Sequence, residues 1–262
     1  MEQYQADDAR RAIAKPHDVA YRTDEVLKLV MVGEAAAGKT TALECLMNGG
    51  YPIAHAPDST IGVGWREYAY HSDQGHYYRF SVHDTAGEER FAYVTEPYLR
   101  DAHVVVGVVD IAALAEKPLQ EPADITAQRV FTRTFGAALS AARRRDKLVF
   151  DGFDHRPVMV CMGNKRDTCP GSELRAALRA LCSRDRVHYL DTSARTGEHV
   201  VDAFHWGMCD AARLVEQHID AHGVPASRRT LAALQDPPMY VLAVDTLAGA
   251  DGQDPLKCRC IT

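Results

Sequence analysis

The chain lacks an apolar run long enough to cross a bilayer. Its most apolar stretch, Val104 to Ala115, is interrupted by Asp110 and falls well short of the roughly 20 residues a spanning helix needs. An N-terminal apolar segment of the secretory type is missing too, so neither secretion nor a membrane-spanning helix is expected. C-x-x-C spacing is absent among the seven cysteines, Cys45, Cys161, Cys169, Cys182, Cys209, Cys258 and Cys260. An odd number without that spacing argues against a disulfide framework and a zinc site, and fits a reducing, cytoplasmic compartment. Positive charge is not in excess: the net charge of −6 speaks against a generic nucleic-acid binder. Low-complexity tracts are also missing. What remains, 46% hydrophobic and 25% charged residues in a chain of 262, is the composition of a globule with one large domain and extensions.

Apolar runs alternate with helical patterns along the chain, the signature of βαβ units and a mainly parallel sheet. Strands are expected at 26–32, 61–70, 77–83, 103–109, 157–163 and 188–191. Helices are expected at 39–48, stopped by Gly49-Gly50; at 125–145, where Phe131, Phe135, Ala138 and Ala142 share a face; from Ser172 through Leu181; and at 198–221. Three domains of organisation follow: an extension at 1–25, a core at 26–222 with long connections at 111–124 and 146–156, and a variable tail at 223–262. Within the tail, Met239 to Val244 is strand-like.

Gly33-Glu34-Ala35-Ala36-Ala37-Gly38-Lys39-Thr40 reads G-x-x-x-x-G-K-T directly after an apolar strand. Such a loop cradles phosphates with backbone N–H groups, adds a lysine that reaches the outer phosphates, offers a hydroxyl to Mg²⁺ and opens a helix whose positive end faces the anion. Further along, Asp84-Thr85-Ala86-Gly87 puts an acid at a strand end before a flexible turn, where the acid can hold Mg²⁺ through water and Gly87 can offer an N–H to a γ-phosphate. Asn164-Lys165-Arg166-Asp167 follows another strand, and its aspartate can accept both guanine N1–H and the exocyclic amine, a pattern adenine does not supply. Thr192-Ser193-Ala194 can aim a backbone N–H at the guanine O6, and Thr60 in Ser59-Thr60-Ile61-Gly62-Val63 can complete a magnesium shell.

In this order, GEAAAGKT, the STIGV threonine, DTAGE, NKRD and TSA resemble the small GTPases of the Ras superfamily, over about residues 27–222. Ile61-Gly62-Val63-Gly64-Trp65, Glu89-Arg90-Phe91 and Tyr98-Leu99-Arg100-Asp101-Ala102-His103 look like Rab stretches. The resemblance implies an α/β fold, a P-loop NTPase domain with a mainly parallel six-stranded sheet flanked by helices. It implies Mg²⁺ as cofactor and GTP or GDP as bound nucleotide. Phosphates would be held by Gly33, Ala35, Ala36, Ala37, Gly38, Lys39, Thr40 and Thr41, with Thr60 and Gly87 at the γ-phosphate. Thr40, Thr60 and Asp84 would serve the metal. Asn164, Lys165, Asp167, Ser193, Ala194 and Arg195 would frame the base, with Tyr51 at its edge. Catalysis would use Lys39, Thr60, Gly87 and Glu88. Loss of the γ-phosphate would release segments 51–66 and 84–100, where an exchange factor, a GTPase-activating protein and effectors would engage a monomer on the cytoplasmic face of an endomembrane, in vesicle traffic.

Several positions depart from that family. Glu88 stands where a glutamine orients the attacking water; a carboxylate lacks the amide donor and adds negative charge, so slow turnover is expected. Ala35 and Ala36 replace small-loop glycines, and His83 replaces a tryptophan. The end, Lys257-Cys258-Arg259-Cys260-Ile261-Thr262, resembles a doubly prenylated tail, although two residues follow the C-x-C pair. Lipidation at Cys258 and Cys260 would give stable anchoring; an unmodified tail is the alternative. Two further readings stay open: a GTP-dependent binding module with little intrinsic hydrolysis, and a phosphate-loop kinase or ATPase.

Overall fold

Hydrophobic strands flanked by amphipathic helices must bury both sheet faces, and the computed structural model shows how. It describes residues 21–55, 57–87, 97–99, 101–116, 122–144, 149–150, 153–154, 157–168, 173–222 and 240–241. The strands are β1 (Tyr21–Val32), β2 (Val63–His71), β3 (Tyr77–Thr85), β4 (Val104–Asp110), β5 (Val149–Phe150), β6 (Phe153–Asp154), β7 (Val158–Asn164), β8 (His188–Asp191) and β9 (Tyr240–Val241). The helices are α1 (Lys39–Met47), α2 (Ile111–Glu116), α3 (Ala123–Arg144), α4 (Glu173–Arg184) and α5 (Val200–His222). The main sheet runs β8-β7-β4-β1-β3-β2-β9. Within it, among the described residues, only the β2–β3 pair is antiparallel, a hairpin closed by Ser72 N–H donating to the His76 carbonyl at 2.8 Å.

The six expected strands are present, and β9, inside the strand-like stretch expected at 239–244, lies as a two-residue seventh beside Tyr68 and Ala69; the rest of that stretch lies outside the described residues. β1 begins at Tyr21, inside the segment read as an extension, because Tyr21 pairs with Tyr77 across the sheet while the polar run Arg22 to Glu25 hides the strand from a local reading. The connection expected at 111–124 holds α2, whose first turn is capped by Asp110: its carboxylate accepts the Ala113 N–H at 2.9 Å. The 146–156 connection holds the small β5–β6 hairpin.

One face of the sheet packs against α1 and α5 through Leu46, Phe204, Met208 and Val215. The opposite face packs against α3 and α4 through Phe131, Phe135, Leu174 and Leu178. α3 comes especially close to β4: a Cβ on Gly107 would meet the Phe135 ring and lie 2.7 Å from the Thr134 methyl. At the opposite end of the strands, buried His103 knits three of them. Its N–H donates to the Lys28 carbonyl at 2.8 Å, its carbonyl accepts the Val158 N–H at 2.8 Å, and its ring Nδ1 accepts the Lys28 N–H at 2.9 Å.

Candidate nucleotide site

The loops leaving the carboxyl ends of β1, β3, β7 and β8 meet at one end of the sheet, around the point where the strand order reverses between β4 and β3. The first of them wraps Lys39. Its ammonium, almost fully buried, donates to the carbonyls of Gly33 at 3.0 Å and Glu34 at 2.9 Å. Burial pulls its pKa below the usual lysine value, against the carboxylates of Asp84 and Glu34, which favour the charged form. An anion bound in this loop would favour the charged ammonium. Gly38 has φ of 97°, and a Cβ there would run into the Asn164 amide. Ala36 holds the left-handed region with a side chain, at φ 58°, a conformation that costs an alanine about 1–2 kcal/mol.

Two further loops close on this one. The Thr40 hydroxyl donates to Asp84 Oδ2 at 2.6 Å and lies 2.7 Å from the Thr60 hydroxyl, which is itself 3.2 Å from the same carboxylate oxygen. Asp84 Oδ1 is buried with no hydrogen-bond partner among the described residues. Two hydroxyls and a carboxylate with a spare buried oxygen are the hard donor set that suits Mg²⁺. Among the described residues no group of three or more His, Cys, Asp or Glu forms a competing metal cluster. Beside it, Ala86 N–H donates to the Gly62 carbonyl at 2.8 Å, which ties the third-strand loop to the Thr60 loop. Gly87 then lies against the phosphate loop so tightly that a Cβ would strike the Ala35 nitrogen and the Lys39 ammonium. Glu88 lies outside the described residues, as do Cys258 and Cys260.

Asn164 is the brace between the phosphate loop and the base loops. Its amide donates to the Ala37 carbonyl at 2.7 Å, and its Oδ1 accepts the Ala194 N–H at 2.9 Å. Of the backbone N–H groups in Thr192-Ser193-Ala194 expected to reach guanine O6, that of Ala194 is directed at Asn164 in this structure. Asp167 Oδ1 accepts the Ser193 hydroxyl at 2.7 Å, and its other oxygen is 3.9 Å from the exposed Arg195 guanidinium. Lys165, at φ 65°, is held by Asp110 at 2.6 Å. Thr41 stands half-buried in the first turn of α1, and Tyr51 lies beyond its end, 62% exposed and open to a ligand. Sequence reasoning passed over Asp110 and Glu34: one fixes Lys165, the other offers its carbonyl to Lys39. Asp110's place at a strand's carboxyl end was the available signal.

Fold and site together define a small-GTPase α/β domain of the Ras type. Residues 28–126 match the family model described as Ras of Complex, Roc, domain of DAPkinase. The chain is similar to GTP-binding protein YPT53 of Saccharomyces cerevisiae, 26% identical over 185 residues that cover 68% of this chain and 73% of that protein. It is similar to Ras-related protein RABA1e of Arabidopsis thaliana, 28% identical over 79% of this chain and 87% of that one. Over a shorter span it is 36% identical to Ras-related protein Rab-26 of Rattus norvegicus, covering 34% of each. Within that class, the relatives it is similar to carry Ypt and Rab names.

Proposed function

We propose that this chain is a guanine-nucleotide switch that binds Mg²⁺·GTP, recruits effectors in that state, and hydrolyses GTP slowly to GDP and phosphate, in intracellular vesicle traffic. The observation that carries the reading is the convergence of Thr60 and Gly87, from loops on either side of the β2–β3 hairpin, on the phosphate loop around Lys39 and Asp84. Both loops share one anchor point, so a γ-phosphate there would hold them together and its loss would free them. The relatives' names, GTP-binding and Ras-related, support the nucleotide and the class.

In this reading Lys39 and the loop N–H groups orient the phosphates, and Asp167 with Ser193 selects the base. Thr40, Thr60 and Asp84 would hold Mg²⁺, which neutralises charge on the phosphate oxygens when bound. Glu88 takes the position that aligns water. Its carboxylate accepts a proton but donates nothing to the charge that develops on the phosphoryl oxygens, so turnover is slow. Single-turnover hydrolysis by the wild-type protein and by Glu88→Gln measures this. The variant is expected to hydrolyse about tenfold faster, the gain of one well-placed hydrogen bond; a wild-type rate well above the variant's overturns the slow-switch reading. No hydrolysis by either protein, with GTP retained, favours the binding-module alternative.

A further inference from the structure

A groove of about 710 Å³ runs along the surface between α3 and α4, its lining drawn from those two helices and not from the nucleotide-site residues. Its apolar lining includes Ile125, which is 51% exposed, and the partly buried Leu181. Around them stand three cations, Arg129 and Arg133 one turn apart on α3 and Arg184 at the end of α4, and among the described lining residues one acid, Asp124. Like charges at i,i+4 oppose helix formation, and the whole chain is net negative, so this is a local concentration of positive charge. The cations engage in exposed pairs: Arg133 with Glu34 Oε1 at 3.2 Å and Arg184 with Asp185 at 2.8 Å. Pairs this open to solvent exchange readily for a competing carboxylate.

We propose that this groove docks an acidic, amphipathic segment of a partner protein, apolar side chains on Ile125 and Leu181 and carboxylates on the arginines. The mixture decides the partner's chemistry. A bare polyanion would leave the apolar floor uncovered and meet the repulsion of a net negative chain; a purely apolar segment would strand three guanidinium groups at its rim. The pairing of Arg133 with Glu34 gives the groove a line to the phosphate loop. Glu34 offers its carbonyl to Lys39, and its carboxylate acts electrostatically on that ammonium. A partner carboxylate that draws Arg133 away leaves Glu34 uncompensated beside the bound phosphates, so docking speeds nucleotide release. This second half rests on the guanine-switch reading; the first does not.

The test uses the full chain and a fluorescent synthetic helix of leucine and glutamate at i,i+3 and i,i+4 spacing, with a lysine-for-glutamate control. Binding to the glutamate peptide, weakened by salt and reduced at least about tenfold in R129E/R184E, supports docking. If that variant loses its cooperative unfolding transition, R129Q/R184Q replaces it, with a smaller loss of the same sign. Absence of binding, equal binding of the control, or binding unchanged in the folded variants overturns docking. So does capture of phosphatidylserine vesicles in place of the peptide, which assigns the face to a membrane, or a dimer in sedimentation that dissolves in R129E/R184E, which assigns it to a second copy. Saturating peptide should speed release of a fluorescent GDP by about two- to fivefold, the range an exposed ion pair allows, and E34Q should keep peptide binding but lose the acceleration. Release unchanged by bound peptide overturns the coupling. If the protein retains no guanine nucleotide at all, the switch reading fails while the docking measurement still stands.

Discussion

Asn164 shows how one side chain can hold a site whose parts are far apart in sequence. It joins Ala37 to Ala194, and both of those backbone groups would be left unpaired in Asn164→Ala. Each orphaned buried group costs about 1–3 kcal/mol, so a stability loss of roughly 2–6 kcal/mol and a GDP affinity at least about tenfold lower are expected. Thermal unfolding and nucleotide retention check this; unchanged values for both would show that the brace is dispensable. The motif residues were legible in sequence because each is a residue type that phosphate, cation or base chemistry demands at a strand end. Their partners were not. That Asn164 faces the phosphate loop, that Lys165 leans on Asp110 and that Arg133 reaches Glu34 are contacts between distant positions, and local periodicity carries no information about them.

At the scale of elements, the seat of α3 on β4 depends on Gly107, where a side chain would collide with Thr134 and Phe135. Gly107→Ala is expected to cost about 1–3 kcal/mol through overpacking, and a urea unfolding midpoint unchanged from wild type would contradict that. The same helix carries Arg129 and Arg133, so its seat also sets their reach. The fully buried run of β4 and the stripes of α3 and α5 made those elements plain from sequence. The ends were harder. The first residues of β1 are polar and owe their extension to Tyr77 across the sheet. α2 was hidden by its shortness, yet Asp110 before Ile111-Ala112-Ala113 is a capping signal.

For the molecule as a whole, two histidines tie stability to pH. Burial pushes His205, which meets the Tyr68 hydroxyl at 2.8 Å, down to about 4. Burial and the nearby Lys28 ammonium push His83 down to about 4 as well. Below about pH 6.5 the unfolded chain protonates both residues while the native state resists until about pH 4. The unfolded state then binds more protons, so stability falls as pH falls through that window and levels out above it. Denaturant unfolding from pH 7 to 4.5 should show the decline, and His205→Phe should flatten it by up to about one proton's worth of slope. A parallel profile in the variant would remove His205 from the explanation.

His103 carries a consequence of another kind. With its Nδ1 accepting the Lys28 N–H, an imidazole takes the role a carbonyl plays in an ordinary ladder. The ring is thereby fixed as the tautomer that bears hydrogen on Nε2, and a nitrogen-15 chemical shift can report that identity directly. The rim where β1, β4 and β7 join thus contains its own spectroscopic marker, one that tells whether the far edge of the sheet stays closed while the opposite edge handles its ligand.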